Sequence, residues 1–349
     1  MNFLRRLIGA PTSDTDNSKH TDLTKPSAIA NGVAPEISLP GTATASSPPA
    51  PLIQGVTKYS TQEITEPRDF DPTPMFGVTR QLPPLESLTS KPSKHVIYGL
   101  STDIGMIRNN NQDSVFTFYG SSVSAESRPD FGLFIVADGM GGHHDGEHAS
   151  AIAIRVIALH MLENFYLALL KIAPNDVDRP ILSEVLSEAV QKANEAVSGE
   201  IPEGGTTVTA AAMLSDLLCV AHVGDSRAYL IAQDKIEQIT RDHSLVQRLI
   251  ELDKLTKEEA ETHPQRNVLY RAIGQSDELE VDTFSCRLGP GSRLMLCSDG
   301  LWNEVSDARF LHIVQSAKTP QEACDHLITL ANDGGGRDNI TVVLVQVPG

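Results

Sequence analysis

The sequence predicts an α+β domain: a central antiparallel β-sandwich flanked by helices on both faces, in the layer order α-β-β-α. Three observations predict it. Strand-like runs bounded by turn residues outnumber the places in one sheet, four amphipathic helices each need a face to cover, and consecutive strand runs are not separated by helices as a parallel sheet would require.

The first strands are expected at His95–Ser101, Ser114–Phe118 and Phe131–Ala137, the last an almost wholly apolar run fit for burial on both sides. A helix beginning near Glu147 follows, with Ile154, Ile157, Met161 and Phe165 on one stripe, and Pro174 is expected to stop it. A second helix, about Arg179 to Val197, places Leu182, Val185, Ala189, Ala193 and Val197 on one face. Strands are then expected at Thr206–Leu214, Leu217–Val223, Arg227–Ile231 and Lys235–Ile239, reading as one antiparallel meander. Residues 242–278 form a polar, helix-containing, flap-like insertion. Strands return at Leu279–Leu288 and Arg293–Cys297, two helices follow at about Asp307–Ala317 and Pro320–Ala331, and the last strand spans Ile340–Val347.

Residues 1–94 contrast with this domain of 95–349. Thirteen of the chain's 21 prolines lie between Pro11 and Pro92, among Ser, Thr and Ala and without sustained periodicity. Such a stretch buries too little apolar surface to offset its ordering entropy, so a disordered tail is expected. The first ten residues carry an apolar run too short for a secretory signal, and no segment is read as approaching membrane-spanning length. Four cysteines without metal-ligand spacing point to reduced thiols and a cytoplasmic setting.

Charge is equally uneven. Residues 1–94 hold 9 basic and 9 acidic side chains, so the formal −17 resides wholly in 95–349. An acidic domain disfavours nucleic acid as a partner and suits hard cations.

Acidic residues also mark the strand ends. Asp138 follows Leu-Phe-Ile-Val-Ala, Asp225 follows Val-Ala-His-Val-Gly, Asp299 follows Leu-Met-Leu-Cys-Ser, and Asp338 precedes Asn-Ile-Thr-Val-Val, while Asp113 closes Arg108-Asn-Asn-Asn-Gln-Asp. Carboxylates gathered at sheet ends without lysines repel one another and lose hydration unless cations neutralise them. An oxygen-only set implies magnesium or manganese. His143, His144 and His148, grouped after a glycine turn, could instead indicate zinc, although polar loop residues are the simpler reading.

Eight pieces, in order, resemble the metal-dependent protein serine/threonine phosphatases of type 2C, particularly their bacterial members, along about residues 95–347. They are Gly105-Met-Ile-Arg108-Asn-Asn-Asn-Gln-Asp113, Val136-Ala-Asp138-Gly139-Met-Gly-Gly-His143, Gly205-Thr-Thr, His222-Val-Gly-Asp225-Ser-Arg-Ala-Tyr, Thr240-Arg-Asp-His-Ser, His263-Pro-Gln-Arg-Asn-Val-Leu, Cys297-Ser-Asp299-Gly-Leu and Gly336-Arg-Asp338-Asn-Ile-Thr. The resemblance implies a phosphoserine/phosphothreonine hydrolase working by direct attack of a metal-bridging hydroxide. It implies that Asp138 bridges two tightly held ions, manganese or magnesium, that the Gly139 carbonyl completes one site and Asp299 and Asp338 the other, and that Asp113 supports them directly or through water. Arg108 matches the phosphate-binding arginine, and Asp225, with Asp299, matches a weaker third-ion position. Eukaryotic members usually carry Glu at the position of Gln112 and His at that of Met140. Met140 cannot donate a proton, so His143 or a metal-bound water must protonate the leaving oxygen. Partners implied are phosphorylated proteins and a cognate serine/threonine kinase, with the enzyme a cytoplasmic monomer binding neither nucleic acid nor membrane.

Other chemistries fare worse. Cysteine-based phosphatases need an arginine six residues after the nucleophile, and the positions six after the four cysteines are Asp225, Ser292, Asn303 and Leu330. A catalytically silent phosphoprotein-binding module could dispense with the acidic set that is complete here. A two-metal phosphodiesterase or nuclease would need a basic track along the domain.

Overall fold

A computed structural model describes residues 95–122, 128–142, 144–171 and 180–349. The tail reading for 1–94 and the helix stop at Pro174 lie outside the described residues.

Two antiparallel sheets form the centre. The first has the order β1-β11-β10-β7-β8, from Ile97–Asp103 (β1), Ile340–Gln346 (β11), Arg293–Cys297 (β10), Arg227–Ala232 (β7) and Lys235–Gln238 (β8). The second has the order β2-β3-β5-β6-β9, from Asp113–Gly120 (β2), Phe131–Met140 (β3), Val208–Leu214 (β5), Leu217–Val223 (β6) and Asp282–Arg287 (β9), with the short Gly205–Thr206 (β4) paired to the end of β3. The expected single meander is corrected here: β5–β6 and β7–β8 are hairpins of different sheets. The chain changes sheet at Gly224, whose φ is +111° and where an added Cβ would lie 2.6 Å from the Thr207 side chain. Only glycine fits that corner.

The layers follow from side-chain alternation along the strands. Phe131, Leu133, Ile135 and Ala137 of β3 face outward onto the helices Asp145–Met161 (α1) and Leu182–Glu200 (α3), while Phe134 and Val136 point into the space between the sheets. There they meet Leu294, Leu296, Val343 and Val345 of the first sheet. The outer face of the first sheet is covered by Asp299–Trp302 (α6), Asp307–Ser316 (α7) and Pro320–Asp333 (α8), through Leu301, Phe310, Val314, Cys324 and Leu327. The insertion contains two short helices, Leu245–Glu251 (α4) and Lys257–Glu261 (α5), the latter closed by a Thr256–Glu259 capping box.

One sequence expectation about length needs correction. Helix α1 continues through a π-helical turn, Leu162–Tyr166, into Leu167–Lys171 (α2), and this 27-residue stretch is the one among the described residues long and apolar enough to cross a membrane. One side of it is occupied by protein, since Ile157, Met161 and Phe165 belong to the cluster formed with β3 and α3, while Leu159, Leu167 and Leu170 are exposed. Ile154 is only partly buried at the margin of that cluster. The four cysteines are unpaired, three of them buried.

Candidate active site

The acidic residues come together at one end of the sandwich because antiparallel pairing returns strand ends to the same edge. Asp113 opens β2 and is the register partner of Asp138 near the end of β3. Asp299 follows the end of β10, and Asp338 precedes β11 in the other sheet. Asp225 sits on the corner between the sheets and is buried.

The loops carrying these residues are tied by hydrogen bonds. Asp138 N donates to Thr207 Oγ1 at 2.9 Å, and the Asp138 carbonyl accepts from Thr207 N at 2.8 Å and from Thr206 Oγ1 at 2.9 Å. Gly139 N donates to Gln112 O at 3.1 Å, and an added Cβ at Gly139 would fall 2.0 Å from Gly146 O. The glycine therefore lets β3 and the start of α1 approach closely enough to leave backbone, not side chain, at this rim. Asn339 ties three segments: its Nδ2 donates to Ile104 O and Asn110 O, each at 2.9 Å, and its Oδ1 accepts from Gln112 N at 2.8 Å. This bracket holds the loop that carries Arg108.

Electrostatically the cluster is under stress. Burial, followed by the charges of Asp113, Asp299, Asp225 and Asp338, holds the Asp138 carboxyl well above the ordinary carboxylate range. Burial and then Asp225, Asp338 and Asp113 do the same to Asp299. Burial pushes Asp113 up to about 6 against hydrogen bonds from Thr341 and Ser298, and burial together with Asp242 pushes Asp225 to about 7. Two carboxylate oxygens, Asp113 Oδ1 and Asp299 Oδ1, are buried without a hydrogen-bond partner. Orphaned acceptors among mutually repelling carboxylates fit hard cations and little else.

Among the described residues the acidic side chains do not stand around one common point. Ser298 Oγ donates to Asp113 Oδ2 at 2.7 Å, Arg108 Nη2 donates to Asp338 Oδ2 at 2.6 Å, and no three His, Cys, Asp or Glu side chains among the described residues converge tightly enough to grip an ion. Hydrogen bonds and the arginine answer part of the negative charge instead. Of the three histidines, His143 lies outside the described residues. His144 is exposed, its Nδ1 3.4 Å from Glu147 Oε2, and His148 is exposed on α1, which is the arrangement of polar surface residues rather than of a zinc site.

Residues 109–327 match the family model described as Protein phosphatase 2C. The chain belongs to the protein phosphatase 2C family. Among relatives, the serine/threonine phosphatase stp of Listeria innocua is 40% identical over 245 residues, covering 70% of this chain and 93% of that one. Among solved structures, the Mycobacterium tuberculosis serine/threonine phosphatase PstP/Ppp superposes with a TM-score of 0.61 at 35% identity, covering 73% of this chain and 99% of that chain. The catalytic domain of PstP in complex with two manganese ions superposes with a TM-score of 0.59 at 34% identity, covering 73% of this chain and 99% of the other. As a protein phosphatase 2C, the chain is a metal-dependent protein serine/threonine phosphatase.

This protein phosphatase 2C also holds its site with residues whose part is invisible in the motif string. Arg227 grips Asp242 through three contacts of 2.7–3.2 Å and stacks 3.6 Å over the Trp302 ring. Trp302 Nε1 donates to the Asp225 carbonyl at 3.0 Å. One stack thus joins the Asp225 corner, the helix that begins with Asp299 and the start of the insertion. Arg227 and Asp242 lie within quoted motifs, but Trp302 carries no sequence signal beyond its place after Asp299.

Proposed function

We propose that Asp138, the Gly139 carbonyl, Asp299 and Asp338, with Asp113 directly or through water, hold two divalent ions, manganese or magnesium, and that residues 95–349 are the catalytic domain. The observation that carries this reading is the pair of buried, partnerless carboxylate oxygens on Asp113 and Asp299 inside a cluster whose members raise one another's proton affinity. When bound, such ions would lower the pKa of a water molecule and draw charge from the phosphate.

The chain's own groups do the rest. Arg108 is 46% exposed at its side chain, so its planar fork can turn phosphate oxygens toward the cluster while Asp338 fixes its inner edge. Its contact with Asp338 orients the guanidinium before substrate arrives. Met140 accepts a hydrogen bond at Sδ from Gln275 Nε2 and has no proton to give, so His143 or solvent protonates the leaving oxygen. Asp225, with Asp299, takes a third and weaker ion beside the insertion 242–278. Residues 1–94 are a tail outside the chemistry.

Substrates in this reading are phosphorylated proteins supplied by a cognate serine/threonine kinase, in the cytoplasm, with the enzyme acting as a monomer that binds neither nucleic acid nor membrane. The test is turnover of a phosphoserine peptide alongside thermal melting. Excess chelator should abolish turnover and lower the melting temperature, and manganese or magnesium should restore both. Full activity in excess chelator overturns the metal assignment.

A further inference from the structure

Immediately before Arg108 the chain places two large apolar side chains in solvent. Met106 and Ile107 are each 68% exposed. The backbone beneath them is fixed. Gly105 N donates to Asp103 Oδ1 at 2.8 Å, Met106 N donates to Gly336 O at 2.7 Å, and Asn339 Nδ2 holds Ile104 O and Asn110 O on either side. Gly105 has φ +80°, and an added Cβ there would lie 2.3 Å from Asp338 O. The exposure is therefore a property of a tied loop and cannot be put down to a loose end.

The loop is also aligned with the site. A Cβ built on Gly336 would lie 2.8 Å from Met106 Cγ, while Arg108 Nη2 lies 2.6 Å from Asp338 Oδ2. Residues 106 and 108 thus lean on residues 336 and 338 of one facing segment, so an apolar side chain and the guanidinium stand side by side on the same edge. Met106 and Ile107 are the exposed apolar side chains next to Arg108 in the chain, where a residue flanking a phosphate held by that guanidinium can meet them.

We infer that Met106 and Ile107 form an apolar shelf that receives an apolar side chain next to the phosphoserine or phosphothreonine of a protein substrate, making these two residues determinants of substrate choice. The inference rests on the reading of Arg108 as the phosphate contact. It runs against what the charge alone would select, since an acidic domain favours basic neighbours.

The experiment uses the full-length protein with manganese and three sets of phosphoserine peptides, carrying Leu, Glu or Lys at each position flanking the phosphoresidue. At one flank, kcat/KM for Leu should exceed that for Glu and for Lys by about tenfold, the discrimination that a partly covered aliphatic side chain provides. Met106→Ser and Ile107→Ser, both at exposed positions where folding is insensitive, should bring that ratio below about threefold, mainly through KM. Equal rates for the three peptides, a preference for Lys, or a ratio unmoved by both substitutions overturns the shelf while leaving the phosphatase reading intact. Turnover of none of the peptides overturns the reading beneath it, and the shelf with it.

Discussion

Arg108 Nη2 lies 2.6 Å from Asp338 Oδ2, so the guanidinium assigned to the phosphate is paired with a carboxylate assigned to a metal. The pair couples two functions that the motifs list separately. On those assignments, removing the arginine leaves Asp338 without its cation and the phosphate without its clamp.

Arg108→Ala should lower kcat/KM by about 1.5–3 kcal/mol, the range for a charged hydrogen-bonding interaction, which is a factor of roughly ten to over a hundred. Lysine at this position should recover only part of the loss, because it keeps the charge without the fork. Steady-state kinetics on one phosphopeptide decides the matter, and unchanged kinetics in Arg108→Ala removes the assignment.

Asp138→Asn should abolish turnover and yet make the protein melt higher in chelator than the parent does. Burial and repulsion by four other aspartates both disfavour a charged carboxylate at Asp138, and the amide relieves both. Manganese should raise the parent's melting temperature and leave the variant's almost unmoved. A variant that melts lower than its parent in chelator contradicts the electrostatic account.

In the metal-free protein Asp113 and Asp225 should cost stability as the pH climbs. Asp113 and Asp225 have folded values of about 6 and about 7 against 3.8 for the ordinary side chain, so the folded chain binds these protons more tightly than the unfolded one. Between about pH 4 and pH 7 these two groups thus hold more protons in the folded state than in the unfolded one, and their contribution to the slope of stability with pH is negative there. Urea denaturation in chelator at several pH values should show that Asp113→Asn reduces the fall. An identical slope in parent and variant goes against it.

Asp225→Ala should leave the fold and the two tight ions in place, but lower turnover and move metal activation to higher concentration. A site with few protein ligands keeps most of its water and binds weakly. Calorimetric titration beside kinetics on the same variant separates the possibilities, and loss of the tight sites would show that Asp225 serves all the ions or the corner itself.

Arg227→Ala should cost about 3–5 kcal/mol of stability, since Asp242 has only 6% of its side chain exposed and would be left as an uncompensated buried charge. Chemical denaturation with metal present reads this directly. A loss below about 1 kcal/mol would mean that water reaches Asp242 when its partner is gone.

The strands were legible where turn residues punctuate apolar runs: Leu217–Val223 and Arg293–Cys297 have the boundaries that the sequence predicts. Which sheet a hairpin joins was not, because alternation records an inside and an outside without naming the partner sheet. The corner at Gly224 carries that information, and a single glycine resembles any other turn until Thr207 is seen against it. The acidic residues at strand ends were legible individually. Their support was not: Asn339 reaches back 229 residues to Asn110, and Trp302 reaches 77 residues to Asp225, spacings that leave no period in the chain. Arg108 stood out in the sequence as a candidate phosphate contact, but its pairing with Asp338 did not, since neither residue's neighbours encode the other's position.

Strand β11 lies between β1 and β10 in the interior of its sheet, although it is the last described strand in the chain. On a translating ribosome, β1 therefore waits for a partner made some 240 residues later, at the slow, non-local end of folding behaviour. Asp338 enters with that same strand. A nascent chain halted before it lacks both the strand that joins β1 to the rest of the sheet and Asp338, so hydrolysis is expected only after synthesis has passed Gln346.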